Sequence, residues 1–168
     1  DNEVGGLRGA GTVQLSGAEL KTTRGGTFTG AITGDGAVII NNWTQTLNGC
    51  ASDYTGVTTV RSTLSVDCLA DGGVASSIGA ASSDPANLVI EGGRLTYTGG
   101  DTSTDRGMTL TTGAGRIDVA QATTELEVSG DIVGDRAMIK EGAGTLVLSG
   151  HNTFSGNTLV DNGVLRAA

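Results

Sequence analysis

Residues 140–168, KEGAGTLVLSGHNTFSGNTLVDNGVLRAA, constrain the fold more than any other part of the chain. Glycine, asparagine and serine cut this stretch into three short apolar runs, 145–148, 157–160 and 164–167, with no room for a helix between them. Strands of that length cannot each bury a face alone, so the unit is stable only when stacked on others like it. Related stretches exist. Gly9-Ala10-Gly11-Thr12 followed by Leu15-Ser16-Gly17 repeats Gly142-Ala143-Gly144-Thr145 followed by Leu148-Ser149-Gly150. Residues 30–39 (GAITGDGAVI) align without a gap on 130–139 (GDIVGDRAMI). At the same offset Tyr54-Thr55-Gly56 meets Phe154-Ser155-Gly156, and Thr58 and Val60 meet Thr158 and Val160. The region 43–66 is a degenerate copy in which Thr44, Leu47 and Gly49 stand for Thr145, Leu148 and Gly150.

Residues 140–168 resemble the passenger-associated transport repeat of bacterial autotransporters. The resemblance rests on Gly142, Gly144, Thr145 and Leu146, then Leu148, Ser149 and Gly150, then Asn152, Phe154 and Gly156, and finally Thr158, Val160, Gly163 and Leu165. Ser76–Gly79, the run NLVIEGGRL at 87–95 and Ser103-Thr104-Asp105-Arg106 resemble the spacer between such repeats. The resemblance implies an all-β, right-handed parallel β-helix (a β-solenoid), displayed on or released from the surface of a Gram-negative bacterium. It also implies a non-enzymatic stalk or adhesin, whose partners are a host surface or matrix component or another passenger. The signal peptide and the translocating β-barrel are then expected outside residues 1–168, which form a single passenger segment. At a solenoid's usual ~20–25 residues per turn, the chain holds roughly seven to eight rungs. With strands about 4.8 Å apart, the rod is on the order of 35 Å long.

Composition agrees with a thin stacked core. Twenty-nine glycines against one proline suit many tight turns, and aromatics at 3% leave the core to Val, Leu, Ile and Ala. Ten Lys and Arg against 18 Asp and Glu give a net charge of −8, which argues against nucleic acid or an anionic membrane as partner. No apolar run is long enough to insert this segment across a bilayer.

Within the chain, Val13 and Leu15 alternate with Thr12 and Gln14 and should point inward. Residues 22–33 carry a half-buried strand pattern, and 36–40 a fully apolar strand. Asn41-Asn42 reads as a turn, with an internal asparagine ladder as the alternative. Trp43, the sole tryptophan, reads as a buried plug over the coil; an exposed binding aromatic is the alternative. Residues 67–107 are looser, with two good strands at 87–90 and 94–97 and space for a side loop. Further strands are expected at 108–110, 116–119, 125–128 and 137–140.

Candidates for chemistry are few. Cys50 and Cys68 lie 18 positions apart, close to one turn of such a coil, a spacing that allows them to meet on adjacent rungs, and two cysteines in an exported chain usually pair; two buried thiols that never meet are the alternative. No CxxC and no nearby histidine supports a metal site, and no cofactor is implied. His151 is the only histidine and reads as a loop residue, not as the base of a nucleophilic triad. Asp101 and Asp105, with Arg106 beside them, are the candidates for the paired carboxylates that a β-helical polysaccharide lyase or hydrolase, the rival function, would need. Their expected role is structural, with Asp bonding turn amides and Arg106 covering it. At the C-terminal rung Leu159, Val160, Val164 and Leu165 are expected to be exposed and to promote end-on association.

Overall fold

The computed structural model describes residues 2–168. Short β-prone runs separated by glycine-rich corners stack into a three-faced parallel solenoid of about eight turns. The first sheet contains Asn2–Val4, Leu20–Thr22, Val38–Ile40, Thr58–Val60, Leu88–Glu91, Met108–Thr111 and Ile132–Gly134. The second contains Gly26–Phe28, Thr44–Leu47, Thr63–Val66, Arg94–Tyr97, Gly115–Val119, Met138–Glu141 and Thr158–Val160. The third face is split. Thr12–Leu15 pairs with Ala31–Gly34 near one end, while Thr102–Thr104, Glu125–Val128, Thr145–Leu148 and Val164–Ala167 form a four-stranded sheet at the other. A single 3-10 turn at Pro85–Asn87 is the only helical element among the described residues.

The core follows from period-2 alternation carried through a parallel register. Leu64, Leu95 and Ile117 stack in one column of the second sheet, and Ile40, Val60, Ile90 and Leu110 in one column of the first. All seven are at most 2% exposed, and each buried aliphatic chain contributes about 1.5–3 kcal/mol. Outward neighbours are mostly Thr, Ser and charged residues, with Ile39 and Val89 as apolar members of the first sheet's outer row. Val13 and Leu15 face inward as their alternation predicts, Leu15 buried and Val13 packed against the core. Strands Thr102–Thr104 and Ile132–Gly134 lie where the sequence pattern shows none, because their Thr, Ser and Gly content hides the alternation.

The third face breaks where the chain departs from the rod. The turn from Thr58 to Leu88 is half as long again as the one from Val38 to Thr58. The surplus falls within a strandless excursion over residues 67–84, inside the region expected to hold a side loop.

Corners set the spacing. At Gly142 (φ +73°) a β-carbon would run into the backbone oxygen of Val119, one turn below, and at Gly163 (φ +70°) into those of Gly142 and Gly144. Stacked corners therefore approach closely enough only when built from glycine.

Candidate interaction surface

The excursion is the least repetitive part of the molecule. Cys50 and Cys68 are joined as a disulfide at its base, with Cα atoms 5.5 Å apart. Asp67 Oδ1 accepts from the Gly49 N–H (2.7 Å), and Asp71 Oδ1 from the Asp105 N–H (2.9 Å). Asp105 Oδ1 in turn accepts from the Gly72 N–H (2.7 Å), so carboxylates stand in for missing ladder partners.

Arg106 does not cover the aspartates as its sequence context suggests. It is 3% exposed and turns inward. Its Nε donates to the Ala70 carbonyl (3.1 Å), and its Nη2 to those of Val74 (3.1 Å) and Gly79 (2.8 Å). A loop without strands turns carbonyls inward, and one five-donor guanidinium reaches three of them, joining the Thr104 hydroxyl at Ala70 and the Ser76 hydroxyl at Gly79. Tyr54 lies fully buried alongside, its hydroxyl 2.7 Å from Thr58 Oγ1, and burial pushes its pKa up to about 12.

The acidic groups that could serve glycan cleavage are engaged in holding rungs together. Asp101 Oδ1 accepts from the Glu125 N–H (2.9 Å), Glu127 from the Ser149 hydroxyl (2.6 Å), and Glu125 pairs with Arg166. His151 is exposed in a corner, and its backbone N–H donates to Asp131 Oδ1 (2.9 Å).

Lys140 is a buried cation that strand prediction alone does not single out. It occupies an inward position between Ile117 below and Val160 above, with 0% exposure. Its Nζ donates to the carbonyls of Glu141 (2.6 Å), Gly142 (2.8 Å) and Asn162 (3.1 Å), locking two successive corners together. Burial holds its pKa below the usual lysine value, an effect partly offset by Asp118. The signal was present in the alternation Met138-x-Lys140, which puts lysine on the core side.

Trp43 overturns the expectation of a buried plug: it is 73% exposed. Asn42 (φ +55°) and Trp43 (φ +63°) both adopt left-handed backbone, so Asn41-Asn42 is indeed a turn. That turn throws the indole outward, at a conformational cost of roughly 1–2 kcal/mol.

The repeat residues behave as a local unit, not as a vertical stack. Thr145, Leu146 and Leu148 form a strand of the third face, with Leu146 and Leu148 buried. Ser149 bonds Glu127, Gly144 and Gly150 press against the turn below, and Phe154 packs on the core. Asn152 Oδ1 accepts from the Ile132 N–H (2.8 Å), as Ser52 Oγ accepts from the Ile32 N–H (3.1 Å). The Thr55 N–H bonds the Gly34 carbonyl, and the Ser155 N–H that of Gly134. The two copies thus share a hydrogen-bond pattern. Yet Ala31–Gly34 is in the third face and Ile132–Gly134 in the first sheet, while Thr58–Val60 is in the first and Thr158–Val160 in the second. The later copy is rotated by one face. Gly156, Thr158, Val160, Gly163 and Leu165 complete the last turn, where Leu165 is partly buried and Thr158 and Val160 are exposed.

Comparison with known proteins bears on this geometry directly. The passenger-associated-transport-repeat model matches residues 44–62 and 138–167. Over 172 aligned residues the chain is 53% identical to "Adhesin BmaC autotransporter" of Brucella suis biovar 1 (strain 1330). That alignment covers 99% of this chain and 5% of the relative, so the chain spans a small part of that protein's length. No solved structure matches.

Proposed function

We propose that the chain is a segment of an autotransporter passenger of the kind that carries passenger-associated transport repeats, and that it is a non-enzymatic stalk segment that contributes to adhesion. Such passengers are surface-exposed, outer-membrane-associated proteins of Gram-negative bacteria, exported through a β-barrel of the same full-length chain. The observation that carries the proposal is the relative named as an adhesin autotransporter, aligned along nearly the whole of this rod. The use of Asp101, Asp105, Glu125 and Glu127 as rung-to-rung and loop ligands supports a structural role for the acidic groups. The partner is a host surface or matrix component, or a second passenger.

The test compares bacteria displaying the full-length protein with bacteria displaying one in which this segment is excised at matching corners of adjacent turns. Equal surface abundance with reduced attachment to host cells or matrix supports the proposal; undiminished attachment overturns the adhesive half. Depolymerisation of neutral or anionic glycans by the purified chain, with or without calcium, would instead favour the lyase or hydrolase reading.

A further inference from the structure

The cations of this acidic chain are not scattered. Six of its eight arginines, Arg8, Arg24, Arg61, Arg94, Arg116 and Arg136, lie on or beside the corner that joins the first sheet to the second. They occur one per turn, and the one turn in that series without an arginine presents Trp43. Arg24, Trp43, Arg61, Arg94, Arg116 and Arg136 thus mark six successive levels, a span of about 24 Å at ~4.8 Å per level. Arg94 and Arg116 are direct partners in the parallel register, and with Ser62, Thr63, Gly92 and Gly93 they line one shallow polar groove.

The carboxylates on this edge do not neutralise it. Arg61 pairs with Glu91 (2.7 Å), Arg94 (2.7 Å) and Arg116 (3.5 Å) share Glu141, and Arg136 lies 3.5 Å from Asp135. The paired arginines still expose 37–48% of their side chains, so their outer N–H groups remain open to a ligand. Asp118, farther along the second sheet, accepts from the Thr96 hydroxyl. The other two corners carry acids such as Asp35, Asp84, Asp101, Asp131 and Asp161. Their only arginine is the inward-facing Arg106.

We propose that this arginine–tryptophan edge is a docking surface for a linear sulfated polysaccharide laid along the rod. The rod supplies an evenly spaced row of planar guanidiniums, which recognise sulfate oxygens by paired N–H donors. A chain with several anionic groups per disaccharide can meet a cation at each level, whereas one with a single carboxylate per disaccharide cannot. The exposed indole offers an apolar face for a sugar ring to stack on, and its left-handed backbone is the kind of strain that marks a working position. The net charge of −8 repels a polyanion elsewhere, so a bound chain is confined to this edge. The inference deepens the adhesive reading by naming the chemical class of partner, and rests on that reading for its biological setting.

The test measures binding of the 168-residue chain to a size-defined heparin oligosaccharide at low and physiological salt, with circular dichroism confirming that each variant is folded. Arg24→Gln with Arg136→Gln should weaken binding about tenfold, two charge-assisted contacts being lost. Trp43→Ala should also weaken it. Lys21→Gln with Arg166→Gln, off the edge and equal in charge change, should leave it unaltered. Hyaluronan and duplex DNA should bind more weakly than heparin. The proposal is overturned by absent heparin binding at low salt, by equal loss in the off-edge variant, by undiminished binding of Trp43→Ala, or by hyaluronan or DNA binding as tightly. The adhesive reading is tested apart from it. If excision of the segment abolishes attachment of displaying cells while the edge variants attach normally, adhesion stands and the glycan edge falls.

Discussion

Arg106 and Lys140 are cations in a core built mainly of aliphatic chains, and each is held by three backbone carbonyls. Their burial is tolerable because every contact is a charge-assisted hydrogen bond to a backbone carbonyl, two of which, Ala70 and Gly79, also accept from the Thr104 and Ser76 hydroxyls. Arg106→Met should therefore destabilise by about 3 kcal/mol, since it removes three charge-assisted bonds and takes from the Val74 carbonyl its guanidinium donor while filling the space. Chemical denaturation measures the loss. Hydrogen exchange should show it concentrated at residues 70–81, and uniform exchange along the rod would contradict the assignment. Tyr54 makes a different prediction. Its folded pKa of about 12 lies above the ordinary value of 10.0, so the stability held by the neutral phenol is complete below pH 10 and lost as pH rises toward 12. The loss amounts to about 2–3 kcal/mol. Tyr97 is shifted the same way. Lys140, lowered by burial, opposes them by adding stability as pH rises from its lowered value to the ordinary lysine value of 10.5. Tyr54→Phe should flatten the alkaline fall in denaturation midpoint; an unchanged slope would show that Tyr54 does not set it.

At the level of elements, the excursion over 67–84 depends on covalent and polar ties where strands are absent. The Cys50–Cys68 bond closes a loop slightly longer than a 15-residue one, and should stabilise by about 3 kcal/mol. Reduction should lower the melting midpoint and speed exchange at 67–84, while strands from Met108–Thr111 to Thr145–Leu148 stay protected. Equal loss at both would mean that the excursion is part of one cooperative unit with the rod. The strand Thr145–Leu148 and the final Val164–Ala167 coincide with their sequence-derived bounds, because Leu and Val alternate cleanly with turn glycines on either side. Thr102–Thr104 has no such contrast. It becomes a strand because Glu125–Val128 offers it a parallel edge.

On the scale of the whole rod, the last turn leaves Leu159 53%, Val160 46% and Val164 52% exposed, while Leu165 is sheltered by the core. Apolar strands with a free edge associate. The 168-residue chain should self-associate weakly through this end, opposed by its charge of −8 and strengthened by salt that screens it. Leu159→Lys with Val164→Lys should leave it monomeric in light scattering. Persistent association of that variant would place the contact elsewhere.

The repeat, the turn glycines and the alternation of small aliphatic residues determined a rod of short stacked strands from sequence alone, because each is a local property of the chain; that the strands run parallel was what the resemblance of residues 140–168 implied. The spacing of Cys50 and Cys68 likewise foretold their contact once turns of that length were assumed. Which face a repeat occupies was decided only by tertiary structure. A triangular coil has three nearly equivalent sides, and the added residues between Thr58 and Leu88 alter the length of a turn without changing any local motif. The exposure of Trp43 and the inward turn of Arg106 were decided there too. Trp43 depended on a left-handed corner that asparagine permits but does not demand, and Arg106 on loop carbonyls contributed from residues 70, 74 and 79. The arginine row belongs to the same class: residues spaced irregularly along the chain share one edge because the corners stack, and strand pairing alone brings them into line.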